Sequence, residues 1–204
     1  MPKVKVPRKN VSLDMTAMCD VAFLLLTFFI LTTSFKPEEP VVVDTPTSVS
    51  ETKLPDKNIL LISIDKGGRI FFSVDEPDTR KAALQSMSAK YGVKFTDDES
   101  NEFANLPSIG LPIQNLKEYL SLSTFDRTKY VQPGIPVDSL NNQLSDWVLY
   151  SRSVNNRLTI AIKGDQESNY EISSKVISCL QDQNINKFHF VTGLEANPNK
   201  KKKN

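Results

Sequence analysis

One carboxylate in this chain lies where a charge is costly. Asp20 opens an uncharged run, Val21 to Phe35 (VAFLLLTFFILTTSF), that contains no Pro and no Gly. Extended back to Ala17, the stretch has 19 residues, and Asp20 is its single charge. A charged side chain at the centre of a membrane-spanning helix costs about 2.5–3.5 kcal/mol on insertion scales, and less near the end of a span. Two readings follow. Asp20 reaches water at the membrane interface, with Asp14 further out, or it is a protonatable group in a proton path. Desolvation disfavours the charged form of a carboxyl, and a carboxyl with access to both forms can load and release a proton.

Spacing adds a second signal. Asp20, Thr27 and Ser34 recur every seven residues, and Thr16 lies one turn before Asp20. At about 100° per residue the four fall on one narrow helical stripe. Phe23 and Ile30 lie between them, and the other faces are Leu, Phe, Val and Ala. A one-sided polar stripe on a lone apolar helix implies that it faces another helix, or water held by one. Thr and Ser hydroxyls also bond their own helix carbonyls, so the stripe alone does not choose between the readings. A single span cannot enclose a proton path. A partner membrane protein or a second copy must supply the other wall.

The element that positions these groups is a helix over residues 14–36. Its 19-residue apolar stretch spans roughly 28 Å at ~1.5 Å per residue, close to the hydrocarbon thickness of a bilayer. Three readings compete. A cleaved signal peptide has a basic start and an apolar run, but this run is long and Phe-rich and no A-x-A site follows it. A buried core helix needs a large core on every side, and the flanks here are polar. A single transmembrane anchor fits best. Lys3, Lys5, Arg8 and Lys9 form a basic tail over residues 1–13, and Lys36, Pro37, Glu38 and Glu39 end the run. Basic residues before the span place the N-terminus in the cytoplasm. Everything after Phe35 is then expected across the membrane, which in a cell with two membranes is the periplasm.

The averages hide this layout. The chain has 204 residues, 39% hydrophobic and 24% charged, with a net charge of +1. A multi-span membrane protein is more apolar, and a disordered chain has fewer aliphatics and more net charge. The near-neutral total is a cancellation. Residues 36–199 hold 17 basic and 22 acidic residues, while the basic tail and Lys200 to Lys203 are purely basic. No basic stripe marks a nucleic-acid binder.

Residues 37–57 are rich in Pro, Thr, Ser and acids and read as an extended linker, with Val41 to Val43 as a short edge strand. Residues 58–195 read as a compact α+β domain and residues 196–204 as a solvated lysine tail. Ile59–Ile64 and Arg69–Ser73 form a hairpin around Asp65-Lys66-Gly67-Gly68. Pro77 to Tyr91 is a helix with Pro at its start and Gly92 past its end. Short helices broken by Pro107, Pro112, Pro133 and Pro136 follow over 96–136. Asp138 caps a helix running to about Asn155, with Leu140, Leu144, Trp147 and Val148 on one face. Leu158–Lys163 is a strand, Tyr170–Gln183 a helix, and Lys187–Thr192 a last strand.

No catalytic constellation is present. The chain has no P-loop, no H-E-x-x-H and no G-x-S-x-G, so it is not expected to be an enzyme. Gly67-Gly68 is a turn, not a phosphate cradle. Asp97-Asp98-Glu99 reads as a helix start. His189, the single histidine, is structural. Cys19 lies in the span and Cys179 in the distal domain, so they cannot pair within one chain. No cofactor or metal is expected; in the proton-path reading of Asp20, protons are the coupling ion.

Ser12-Leu13-Asp14-Met15-Thr16-Ala17-Met18-Cys19-Asp20-Val21-Ala22-Phe23, running on to Phe29 behind a short basic tail, resembles the membrane signature of the ExbD/TolR family. Ile59 to Phe72 is similar to that family's first periplasmic hairpin. Leu158 to Asp165, Tyr170 with its helix, and Phe188 to Thr192 are similar to its closing strand-helix-strand. The resemblance covers residues 8–73 and about 138–193. It implies a proton-motive-force motor subunit of the inner membrane that energises TonB-dependent outer-membrane transport. It also implies a polytopic ExbB- or TolQ-like partner around the helix, a homodimer, and a TonB-like or TolA-like transducer. The family's membrane aspartate falls on Asp20. Service of envelope integrity or surface motility in a TolR-like motor, or a membrane-tethered binding module without proton transport, are the alternatives. The sequence departs from the family at Ala17, where Pro is frequent, and over 74–136, which reads as an insertion offering a surface for another partner or for peptidoglycan.

Overall fold

The computed structural model describes residues 15–33, 47–48, 55, 57–138, 141–165, 170–191 and 193–194. Expectations for the basic tail, Asp14, Ser34, Val41–Val43, Leu140 and the lysine tail lie outside these residues. The chain divides into two compact units, residues 1–37 and 38–204. The first contains one helix, α1 (Met15–Thr32).

The second unit is mixed α/β. Its strands are β1 (Thr47–Ser48), β2 (Ile59–Ile64), β3 (Ile70–Val74), β4 (Val137–Asp138), β5 (Asn141–Asn142), β6 (Thr159–Gly164), β7 (His189–Phe190) and β8 (Gly193–Leu194). Its helices are α2 (Pro77–Tyr91), α3 (Asp97–Asn105), α4 (Ile113–Ser121), α5 (Thr124–Lys129), α6 (Gln143–Val154) and α7 (Tyr170–Asp182). The main sheet has the order β3-β2-β6-β7. β2 pairs antiparallel with β3 and parallel with β6, and β6 pairs parallel with β7 through the α7 crossover. Two small ladders stand apart, β4 with β5 and β1 with β8.

Alternation along β2 decides which face is buried. Leu60, Ile62 and Ile64 are inaccessible, while Ile59, Leu61 and Ser63 are half-buried. In register with them, Ile70, Phe72 and Val74 of β3 and Ile160 and Ile162 of β6 join the same core. Ala83, Leu84 and Met87 of α2, Leu144, Trp147 and Val148 of α6, and Val176 and Leu180 of α7 complete it. Trp147 is its centre, stacked on Phe103 at 5.6 Å and tilted against Phe72 at 5.5 Å.

The hairpin turn follows from Asp65 and Gly68. Asp65 Oδ1 accepts from Arg69 N at 2.7 Å, and its Oδ2 pairs with the Arg69 guanidinium. Gly68 has φ 76°, and a Cβ there would lie 2.1 Å from Ile172 Cδ1. Backbone conformation and space both select glycine. α2 begins at Pro77 and ends at Gly92 in the left-handed conformation, as its sequence predicts. Asp97-Asp98-Glu99 does open a helix: Thr96 and Glu99 form a capping box on α3.

Two expectations need correction. Asp138 caps no helix; it pairs with Asn141 in the β4–β5 ladder. α6 starts at Gln143, and the Asn142 side chain accepts from Ser145 N. Pro136 causes the delay. Its carbonyl accepts from Gln143 N at 3.1 Å, and Val137–Asp138 pair with Asn141–Asn142 before the helix. The last strand is also shorter than expected. Among the described residues His189 and Phe190 pair with β6, while Gly193 and Leu194 pair with β1.

Residues 74–136 share the core rather than forming a separate body. Phe103, Ile109, Leu111, Ile113, Leu116, Leu120 and Ile135 are all buried in it. Ile109 bridges Phe72 in both directions along the edge of β3, and Ile135 N donates to Ile70 O at 2.9 Å. Buried polar side chains fasten the segment. Gln132 Oε1 accepts from Gly110 N, and Gln143 Oε1 accepts from Ile113 N at 2.8 Å. Arg80 of α2 donates to the carbonyls of Val74, Ala104 and Leu106, closing the end of α3 against the sheet.

Candidate functional site

α1 forms because its 18 residues contain no Gly or Pro and are almost wholly apolar. It is long and apolar enough to cross a membrane, and none of its residues is buried. At its end, Thr32 Oγ1 donates to Phe28 O at 2.7 Å and Thr33 Oγ1 to Phe29 O at 2.5 Å. These are second bonds to carbonyls in the last turn, since Phe29 O also accepts from Thr33 N at 2.9 Å.

Asp20 sits in the second turn of α1 and is exposed. Thr16 precedes it by one turn and Thr27 follows it by two, so the three share the stripe that the spacing predicts. Ser34, the fourth, lies outside the described residues. Thr27 lies about 10 Å further along the axis than Asp20. Its hydroxyl donates to Leu24 O at 2.9 Å, which leaves the oxygen free only to accept. Among the described residues no hydrogen bond or ion pair reaches Asp20. The helix thus carries one carboxylate and one hydroxyl acceptor on a single line, with Phe, Leu and Ile elsewhere. A second helix or bound water on that line is what would satisfy them.

The folded unit holds charged groups of a different kind. Asp146, nearly buried, accepts from Lys90 Nζ and from Tyr91 OH, each at 2.6 Å. Burial and the Asp146 carboxylate both push the Tyr91 phenol up. Donating to the Asp146 carboxylate raises the Lys90 ammonium. These bonds tie the end of α2 to α6. His189 is half-buried on β7, beside Ala161.

A shallow groove runs along α7, between Tyr170, Ser174 and Ser178 on one side and Val137 and Asn142 on the other. Cys179 lies at its floor, buried, with Sγ 3.4 Å from Asn142 Nδ2. Burial pushes the thiol up, against the smaller pull of the Asn142 and Ser145 hydrogen bonds. A thiol held in its neutral form beside an amide is a packing group, not a nucleophile.

Sequence reasoning missed the polar fasteners Arg80, Gln132 and Gln143 and the pairing of β1 with β8. Nothing in a single sequence marks a Gln or Arg as buried, because what buries it comes from 20 or more residues away.

The chain matches the model of a family described as biopolymer transport protein ExbD/TolR, over residues 7–195. No match is found among curated proteins or among solved structures. The family match runs through residues 74–136 without a break in its bounds and includes Asp20, Thr16, Thr27 and Ser34.

Proposed function

The chain belongs to the ExbD/TolR family of biopolymer transport proteins, and on that premise we propose that it is the small, proton-handling subunit of an inner-membrane motor. Membership makes it a subunit that energises transport, with one apolar helix fit for a single membrane crossing. The further assignment rests on one observation: a lone carboxylate on a polar line of an otherwise apolar helix.

In this reading Asp20 takes up a proton from one side and gives it up toward the other. Thr16, Thr27 and Ser34 continue the polar line. The basic start places the N-terminus in the cytoplasm and the folded unit in the periplasm. The wall facing Asp20 comes from a polytopic ExbB- or TolQ-like partner, and a second copy of the chain completes a homodimer. Each charge crossing the membrane releases about 2.3 kcal/mol per 100 mV. A carboxyl that changes charge as the proton passes changes its preferred surroundings, so the helix is driven to move. The folded unit passes that movement to a TonB-like or TolA-like transducer.

Asp20→Asn keeps the size of the side chain and one acceptor oxygen but cannot take up or lose a proton in the working pH range. It is expected to insert and accumulate normally while abolishing ligand import through TonB-dependent outer-membrane receptors. Normal import in that variant contradicts the reading. Lost detergent resistance with import retained assigns the chain to a TolR-like envelope motor instead.

A further inference from the structure

The helices of the folded unit serve one face of its main sheet. The register puts Leu60, Ile62 and Ile64 of β2 on the same side as Ile160 and Ile162 of β6, and that side is the common core. α2, α3, α4, α6 and α7 all turn buried side chains into it. The opposite side carries the other half of the alternation. There Leu61 stands beside Ala161 of β6, and Ala161 beside His189 of β7. Ile59 stands beside Thr159, and Ser63 beside Lys163. None of these residues belongs to the core, and all but Ala161 are half-buried. We propose that this second face is a docking surface for an extended, acidic segment of another protein. Apolar residues of that segment lie on Ile59, Leu61 and Ala161, and its carboxylates point toward the β7 side.

Three observations support it. The first is the type of sheet. Parallel strands are ordinarily buried on both faces by their crossover helices. Here β2 pairs parallel with β6 and β6 with β7, yet the helices between them pack into the core on one side. Ile59 and Leu61 on the other side are met by no described helix of that core, and apolar area left to water costs about 25 cal/mol per Å².

The second is shape. Phe71 of β3 points to this face beside Ser63 and is covered by the Gly110 backbone, where a Cβ would lie 2.4 Å from the ring. Next to it, Ser73 Oγ donates to Pro107 O. Residues 107–110 thus wall the face along β3. From β2 to β7 the floor is three strands wide, about 10 Å. That is room for one extended chain, whereas a stable contact between folded domains takes about 800 Å² per partner.

The third is charge. Residues 36–199 hold 17 basic and 22 acidic residues, so the body as a whole repels an acidic partner. The residues of β2, β3, β6 and β7 on this face include no acid. They include Lys163 and His189, and Lys187, two residues before His189, is exposed at the same margin. Asp75, just past β3, accepts from Ile59 N at 3.2 Å at the end of the face. A two-fold contact with a second copy would set Lys163 and His189 against their own kind. Complementarity therefore selects an acidic partner over a self-contact.

The inference stands apart from the motor reading, and its test uses no transport readout. The full chain in detergent micelles, labelled at its Ile, Leu and Ala methyl groups, is titrated with a short soluble peptide that alternates Glu and Leu. The same peptide with Lys for Glu is the control. The acidic peptide should shift the methyl signals of Ile59, Leu61 and Ala161 and move those of Leu60 and Ile62 far less. Lys187→Glu with His189→Glu should weaken that peptide at least about tenfold and let the basic peptide bind in its place. Lys187→Glu alone, at an exposed position, should show the same exchange of preference more weakly, so misfolding of the double variant leaves the question decidable. Equal binding of the two peptides, no binding of either, or shifts confined to the groove along α7 overturn the proposal. Tighter binding of soluble peptidoglycan fragments at the same methyl groups overturns it in favour of a glycan. A dimer in sedimentation that Leu61→Arg dissociates overturns it in favour of a second copy.

Discussion

Asp20 and Cys179 show how one chain treats two reactive groups in opposite ways. Asp20 is exposed on a helix built for an apolar surrounding, and no group on its own chain among the described residues meets it. Cys179 is buried, 3% exposed, with Asn142 against its sulfur. Burial holds the thiol in its neutral form by raising its ionisation above the usual range. Its reaction with iodoacetamide between pH 7 and 9 should therefore be at least about tenfold slower in the folded chain than after unfolding, as intact-mass measurements would read it. Labelling as fast as that of the unfolded chain would place Cys179 in reach of solvent. The sequence marks Asp20 plainly, because a charge among apolar residues is visible without a fold. It cannot mark Asn142 as the neighbour of Cys179, since the two meet only when α7 lies over the β4–β5 hairpin.

At the scale of elements, local chemistry predicts what local chemistry controls. Pro77 and Gly92 bound α2, Thr96 and Glu99 cap α3, and Asp65 with Gly68 turns the hairpin. Each signal lies within a few residues of its effect. The Asp138 expectation fails for the same reason in reverse. Asp is a good cap, but the Pro136 carbonyl takes the first amides of α6 and a two-residue ladder intervenes. Gly68 gives the sharpest test at this scale. Ala there must adopt φ 76° with its Cβ against Ile172. Gly68→Ala should lower the stability of the folded unit by about 1–3 kcal/mol, read from chemical denaturation. An unchanged midpoint would mean that neither α7 nor the turn is held as described. The long-range pairing of β2 with β6 has no such local signal, since 94 residues separate Ile64 from Leu158 and everything between them must fold to close the sheet.

For the whole molecule, the segment that departs most from the resemblance shares the common core. A run of 63 residues over 74–136 reads as an insertion in the sequence, yet the family match spans it and its apolar side chains lie in the common core. Composition alone cannot distinguish an added module from a core-sharing one, because both are ordinary amphipathic helices. Replacing residues 96–130 by a short Gly-Ser linker should abolish the cooperative thermal transition of the folded unit, because it strips Phe103, Ile109, Leu111, Ile113 and Leu116 from the core. A retained cooperative melt would show the segment to be a dispensable module.

The proposed function belongs to the same scale, since in that reading Asp20 acts through a facing wall supplied by a partner. Proton flux into inner-membrane vesicles from cells expressing the chain with its native membrane partners measures this directly. The wild-type chain should raise flux under an imposed gradient, and Asp20→Asn, at equal abundance, should return it to the level of vesicles lacking the chain. Equal flux from the two would contradict the assignment of the proton to Asp20.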